Sequence, residues 1–73
     1  MSEEKKGIVI KNGVIQEYLP NAIYRINMED GTKVLAHISG RMRRNFIRVF
    51  PGDRVKLEFS EHDLTKGRIV YRF

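Results

Sequence analysis

The chain has 73 residues, with 14 Lys and Arg against 9 Asp and Glu, a formal net charge of +5 and no cysteine. That length suits one domain and not two. Without cysteine there is no disulfide, thiolate nucleophile or thiol redox chemistry, and the composition fits a reducing compartment. His37 and His62 lie far apart without obvious partners, so no metal site is expected. No apolar run approaches the roughly 20 residues that span a bilayer. The start, Met1-Ser2-Glu3-Glu4-Lys5-Lys6, lacks the apolar core of a secretory signal. The expectation is a soluble intracellular protein with no membrane partner.

Charge is distributed unevenly. Residues 1–36 hold five basic and five acidic side chains, whereas residues 37–73 hold nine and four, so the second half carries the whole excess. Such asymmetry bears on partners rather than on fold, and it would draw a polyanion to one part of the molecule. The plain alternative is a basic surface that only solvates the protein.

Residues 1–6 show no periodicity and are expected to form a flexible tail, leaving one domain over 7–73. Ile8-Val9-Ile10 and Val14-Ile15 read as a long first strand. Gly13 between them suggests a bulge or bend that lets the strand pair on both sides. Leu19-Pro20-Asn21 is a turn. Tyr24, Ile26 and Met28 alternate with Arg25 and Asn27 in a second strand, and Val34, Ala36 and Ile38 alternate with Leu35 and His37 in a third. Asp30-Gly31 between them predicts a hairpin whose two central residues take positive φ.

The stretch His37-Ile38-Ser39-Gly40-Arg41-Met42-Arg43-Arg44-Asn45-Phe46-Ile47-Arg48 then changes period, with four arginines in eight residues and no acid. Ser39 suits an N-cap. Met42 and Phe46 would share one face of a two-turn helix and plug the barrel, with Arg41, Arg44 and Arg48 on another face. Phe50-Pro51-Gly52-Asp53 is a turn, and Val55, Leu57 and Phe59 mark a fourth strand. Ser60 to Lys66 reads as a polar loop. Gly67 to Phe73 reads as a fifth strand, with Ile69, Tyr71 and Phe73 on one side. Five strands with a short helix between the third and fourth predict an all-β protein, the five-stranded OB-fold Greek-key barrel.

Catalysis is not expected. There is no Gly-rich phosphate loop, the turn aspartates suit local hydrogen bonding, and His37 has no acid beside it. The arginines instead suit phosphate, because guanidinium is a permanently charged planar fork of donors. Arg41, Arg43, Arg44, Arg48, Arg68 and Arg72 are expected on one side of the molecule. The competing assignment pairs Arg43 or Arg48 with Asp53, Glu58 or Asp63, merely tying the helix to the barrel. Tyr24, Phe46, Phe59 and Tyr71 fall on core faces, leaving Tyr18 as the good candidate for an exposed ring. That scarcity favours recognition of RNA shape and backbone over a threaded single strand.

These motifs carry a resemblance. Leu19-Pro20-Asn21, the segment His37 to Arg48, Pro51-Gly52-Asp53-Arg54-Val55 and Asp63-Leu64-Thr65-Lys66-Gly67-Arg68-Ile69-Val70-Tyr71-Arg72 resemble, in order and spacing, bacterial and plastid translation initiation factor one. The likeness covers roughly residues 7–72. It implies an OB fold bound at the aminoacyl-tRNA site of the small ribosomal subunit, beside the decoding-region rRNA and a neighbouring ribosomal protein. There such a factor blocks premature access of elongator tRNA and supports the other two initiation factors, with no cofactor and as a monomer. Carried over by position, the rRNA-binding residues are Ser39, Gly40, Arg41, Met42, Arg43, Arg44, Asn45 and Arg48, with Lys66, Arg68 and Arg72. Met42 is open to either of two roles, core plug or rRNA contact. Met1 to Lys11 departs from the usual bacterial start. Phe50-Pro51 and Arg44 are similar to the plastid form and Leu35-Ala36-His37 to the bacterial one, so either cytoplasm or plastid stroma is implied. Two other classes fit the same charge pattern: a general RNA chaperone and a protein-interaction barrel.

Overall fold

The computed structural model describes residues 7–73; the tail expected over residues 1–6 lies outside the described residues. Five strands, β1 (Ile8–Leu19), β2 (Ile23–Met28), β3 (Lys33–Ile38), β4 (Arg54–Ser60) and β5 (Asp63–Arg72), close into a barrel in the order β1-β2-β3-β5-β4. A one-and-a-half-turn helix, α1 (Gly40–Arg44), sits between β3 and β4. Neighbouring strands are antiparallel except for β3 and β5, which run parallel. This is the OB-fold barrel that the strand count and helix position predict.

Closure depends on β1. Ile8 to Val14 pair with β4, while Gly13 to Leu19 pair with β2. The strand therefore changes partners where the two stretches overlap, at Gly13 and Val14. A Cβ at Gly13 would lie 2.6 Å from Ile26 Cγ2 and 3.0 Å from the Asn27 carbonyl oxygen. Glycine is required by close approach of β2, as expected for the bend of a small barrel. A register shift between Ile15 and Glu17 adds further twist.

Alternation along the strands builds the core. Ile15, Ile26, Val55, Leu57, Phe59 and Ile69 are all essentially inaccessible to solvent, and Met42 and Val49 join them from the segment between β3 and β4. At about 25 cal/mol per Å² of apolar area, this shared burial is the main force closing so small a barrel.

Two connections and one strand differ from expectation. The β2–β3 hairpin is not a two-residue turn with positive φ at both positions. Gly31 N–H donates to Met28 O at 3.0 Å and Met28 N–H to Thr32 O at 2.8 Å, with Gly31 at φ +91°. Glu29-Asp30-Gly31 is thus a three-residue loop ending in a left-handed glycine, which spares Asp30 a positive φ.

Nor is Ser60 to Lys66 a loop. Ser60 pairs with Asp63, so only Glu61 and His62 turn the chain, and β5 begins at Asp63. Asp63 to Lys66 are all exposed, which removes the apolar alternation by which a strand is read.

The third difference is a bulge in β5. Leu57 pairs with Ile69 but Lys56 pairs with Tyr71, leaving Val70 as an extra residue. One extra residue reverses the facing of everything beyond it. Tyr71 and Phe73 therefore lie outside, half exposed, rather than in the core with Ile69.

Candidate nucleic-acid interface

The arginine segment is built by its two ends. Ser39 holds extended backbone and its Oγ accepts from Met42 N–H at 3.2 Å, the N-cap expected from sequence. At the other end Phe46 N–H donates to Arg43 O at 3.1 Å and Ile47 N–H to Met42 O at 3.0 Å. This paired arrangement is a Schellman cap, which needs a left-handed residue at the Phe46 position, ordinarily glycine. Phe46 supplies it at φ +58°, a conformation costing an L-residue about 1–2 kcal/mol.

The cap corrects the expected plug. The helix ends at Arg44, before a second turn can align Met42 with Phe46. Met42 is 1 % exposed and belongs to the core, whereas Phe46 is 87 % exposed. Val49 is the second apolar anchor of the segment. Of the two roles open to Met42, burial supports the core one, in which its side chain fixes the helix in place.

Arg41 and Arg44 meet Arg68 around an open cleft of about 410 Å³, which Ser39, Gly40, Glu58 and Val70 also line. Among the described residues, no carboxylate forms an ion pair with Arg41, Arg43, Arg44 or Arg48. The alternative in which Arg43 or Arg48 only ties the helix to the barrel therefore finds no partner. Arg68 does have one: its Nη2 donates to Glu58 Oε1 at 2.6 Å. The Glu58 side chain is only 12 % exposed and that of Arg68 48 %, so the pair is partly shielded from solvent. It aims a guanidinium along the wall of the cleft.

The remaining sequence candidates do not line that cleft. Arg72 Nη1 donates to the Arg48 carbonyl at 3.0 Å, fastening the chain after α1 to the end of β5. Arg48 itself borders a second cleft of about 410 Å³, with Tyr18, Tyr24, Phe50 and Pro51. Lys66 lies in a shallow depression with Arg25 and Lys33. Its pairing with Leu35, and that of Arg68 with His37, place Lys66 and Arg68 on the same outer face of β5. Arg43 and Asn45 are exposed, and Asn45 N–H closes the helix on Arg41 O at 3.0 Å.

Exposed rings are more numerous than expected. Besides Tyr18, the rings of Phe46, Phe50, Tyr71 and Phe73 are more than half exposed, while Tyr24 and Phe59 are buried. Arg54 stands 5.1 Å over Phe73, and Lys56 stands 5.5 Å from the Tyr71 ring. Phe46, Tyr71 and Phe73 were missed because the Schellman cap and the β5 bulge each reverse a facing without altering the apolar character of the residue, whereas Phe50 stands in the turn before β4. The premise that aromatics are scarce at the surface is thus overturned.

Burial pushes the Tyr24 phenol up, with a smaller contribution from nearby Tyr18, whose ring centroid is 5.0 Å away. Asp30 and Asp63 are held below their ordinary value, chiefly by hydrogen bonds from the hydroxyls of Thr32 and Thr65 and then from the same residues' backbone N–H groups. Among the described residues, no three His, Cys, Asp or Glu side chains gather as metal ligands, and no helix is long and apolar enough to cross a membrane.

Known proteins share this architecture. The solution structure of translation initiation factor IF-1 from the Wolbachia endosymbiont strain TRS of Brugia malayi superposes with a TM-score of 0.80 at 36 % identity, covering 97 % of this chain and 84 % of that one. The crystal structure of YjeQ from Thermotoga maritima matches with a TM-score of 0.73 at 20 % identity, over 89 % of this chain but 23 % of that one, and speaks for the barrel alone. The family model for translation initiation factor 1A / IF-1 matches residues 3–73. With barrel, helix position and sequence in agreement over nearly its whole length, the chain belongs to the translation initiation factor 1A / IF-1 family.

Proposed function

We propose that the protein, as one domain over 7–73, binds the small ribosomal subunit at the aminoacyl-tRNA site beside the decoding region. There it contacts rRNA and a neighbouring ribosomal protein, and acts as a monomer without cofactor or enzymatic activity. Occupancy of that site blocks premature access of elongator tRNA and supports the other two initiation factors, in the cytoplasm or the plastid stroma. The observation that carries the reading is the cleft in which Arg41, Arg44 and Arg68 converge, with Glu58 as its acid. Its cations point at a polyanion with fixed relative geometry, because α1 is pinned by Ser39 and Met42 and β5 by the barrel. Phosphate neutralisation by such groups is strongly salt-dependent.

A second reading, a general RNA chaperone acting on loose single strands, gains from the exposed rings of Tyr18, Phe46, Phe50, Tyr71 and Phe73. Titration against small subunits and against unstructured RNA separates the two. The subunit reading expects much tighter binding to the subunit, and equal affinity would contradict it. Binding that barely responds to salt would instead favour a protein-interaction barrel.

A further inference from the structure

The bulge at Val70 turns Tyr71 and Phe73 out of the barrel, where both rings are half exposed. Bulges recur where a strand re-aims a side chain for use. Register sets the two rings in a face of three strands. Val14 on β1, Arg54 on β4 and Phe73 form one row, closed by the Phe73 N–H bond to Arg54 O at 2.9 Å. Asn12, Lys56 and Tyr71 form the next. Ile10, Glu58 and Arg68 form the third, and there the face meets the arginine cleft. Ile10 and Val14 are also exposed, so four apolar side chains stand uncovered on one outer face.

The chemistry of this face selects among partners. An unpaired base needs an open ring to stack on. Here Arg54 lies 5.1 Å from the Phe73 centroid, and Lys56 lies 5.5 Å from that of Tyr71 and 6.0 Å from that of Phe73. Both rings thus already carry a cation, and they meet each other edge-on at 78° rather than as parallel shelves. Ile10 and Val14 offer no planar surface at all. Aliphatic contact with a carboxylate beside it suits the face better. Lys56 is half-buried and has no carboxylate partner among the described residues, while Arg54 reaches Glu29 only at 3.7 Å. Ile10, Asn12 and Lys56 also border an open cleft of about 480 Å³ against the β2–β3 loop, which gives a segment of chain room to lie.

We propose that the outer face of β1, β4 and β5 docks a protein segment that sets an aliphatic side chain against Tyr71 and Phe73 and a carboxylate against Lys56. Aromatic side chains and arginine are enriched where protein interfaces bury their anchors. The inference rests on the subunit-binding reading above and adds a surface through which the RNA-bound protein holds a second protein. The face and the arginine cleft share the Glu58–Arg68 edge, so both can be occupied at once.

A benzophenone side chain in place of the Tyr71 ring tests this on purified small ribosomal subunits carrying the other two initiation factors. Irradiation should join it to a protein, at a segment with aliphatic and acidic residues. Lys56→Glu should cut that yield about tenfold, and Lys56→Arg should retain it. Tyr71→Ser with Phe73→Ser should weaken binding to the same assembly about tenfold and leave the affinity for protein-free rRNA unchanged.

Cross-linking to rRNA alone, a yield indifferent to Lys56→Glu, or full affinity in the double serine variant would overturn the proposal. Protein that sits on the subunit without any protein cross-link would overturn this inference alone. Unsubstituted protein that fails to bind subunits would overturn the proposed function together with it.

Discussion

Glu58 on β4 and Arg68 on β5 are cross-strand partners joined by a 2.6 Å hydrogen bond, and the guanidinium so fixed forms one wall of the cleft that Arg41 and Arg44 share. A carboxylate thus sits inside this arginine-lined cleft, where it orients one cation and offsets its charge. Glu58→Gln keeps a neutral acceptor but releases the charge of Arg68 toward a phosphate. The log–log slope of subunit affinity against salt should steepen by up to about one. An unchanged slope would mean that Arg68 does not reach the RNA backbone.

Arg41 and Arg44 make no ion pair among the described residues, so their loss should register in binding and not in folding. Arg41→Ala with Arg44→Ala is expected to lower subunit affinity by roughly 100-fold, about tenfold for each charge-assisted contact. Thermal stability should stay within about 0.5 kcal/mol of wild type, as for surface changes generally. A large fall in Tm would make the cluster structural.

Met42 should behave in the opposite way. Its side chain lies in the core at 1 % exposure, so Met42→Ala should cost about 2–5 kcal/mol in a chemical denaturation curve. Met42→Leu conserves volume and should cost less than about 1.5 kcal/mol while retaining subunit binding. Normal stability but lost binding in Met42→Leu would assign the methionine to the RNA.

At Gly13 the prediction concerns barrel closure. Gly13→Ala forces a methyl group 2.6 Å from Ile26 Cγ2 and 3.0 Å from the Asn27 carbonyl. The expected loss is about 1–3 kcal/mol, the range for overpacking in a tight site. A neutral effect in urea denaturation would show that β1 and β2 separate there at no cost.

The pH dependence follows from Asp30 and Asp63, whose carboxyls are held below the ordinary 3.8 by the Thr32 and Thr65 hydrogen bonds. A carboxyl with a lowered folded pKa adds stability above its unfolded value and loses it as pH falls through the folded one. Both loss and benefit vanish in Asp30→Asn with Asp63→Asn. That variant should melt slightly lower than wild type near neutrality, and its Tm should fall less steeply below pH about 4. Parallel Tm–pH curves would refute this.

Much of the barrel was legible because its strands obey period-2 alternation. Tyr24-Ile26-Met28 and Val55-Leu57-Phe59 turn inward as read, and Gly13 bends β1 where a glycine inside a strand suggested. Ser39 caps α1 as its chemistry implied. Where facing depends on a local irregularity, periodicity gave the wrong side. The extra Val70 turns Tyr71 outward, and the left-handed cap does the same to Phe46. Neither leaves a signature in hydrophobicity, because the residue type stays apolar while its surroundings change. The arginine cluster was visible as composition, but its division was not. Convergence of Arg41, Arg44 and Arg68, and diversion of Arg72 to the Arg48 carbonyl, depend on the parallel pairing of β3 with β5. Long-range pairing of that kind is invisible to local pattern.

The central claim is occupancy of the aminoacyl-tRNA site, and chemical footprinting of small ribosomal subunits at increasing protein concentration tests it most directly. Saturable changes in reactivity confined to the decoding region, weakened in Arg41→Ala with Arg44→Ala, are the predicted result. An unaltered decoding region at saturating protein, or protection scattered over the rRNA without saturation, would contradict the account.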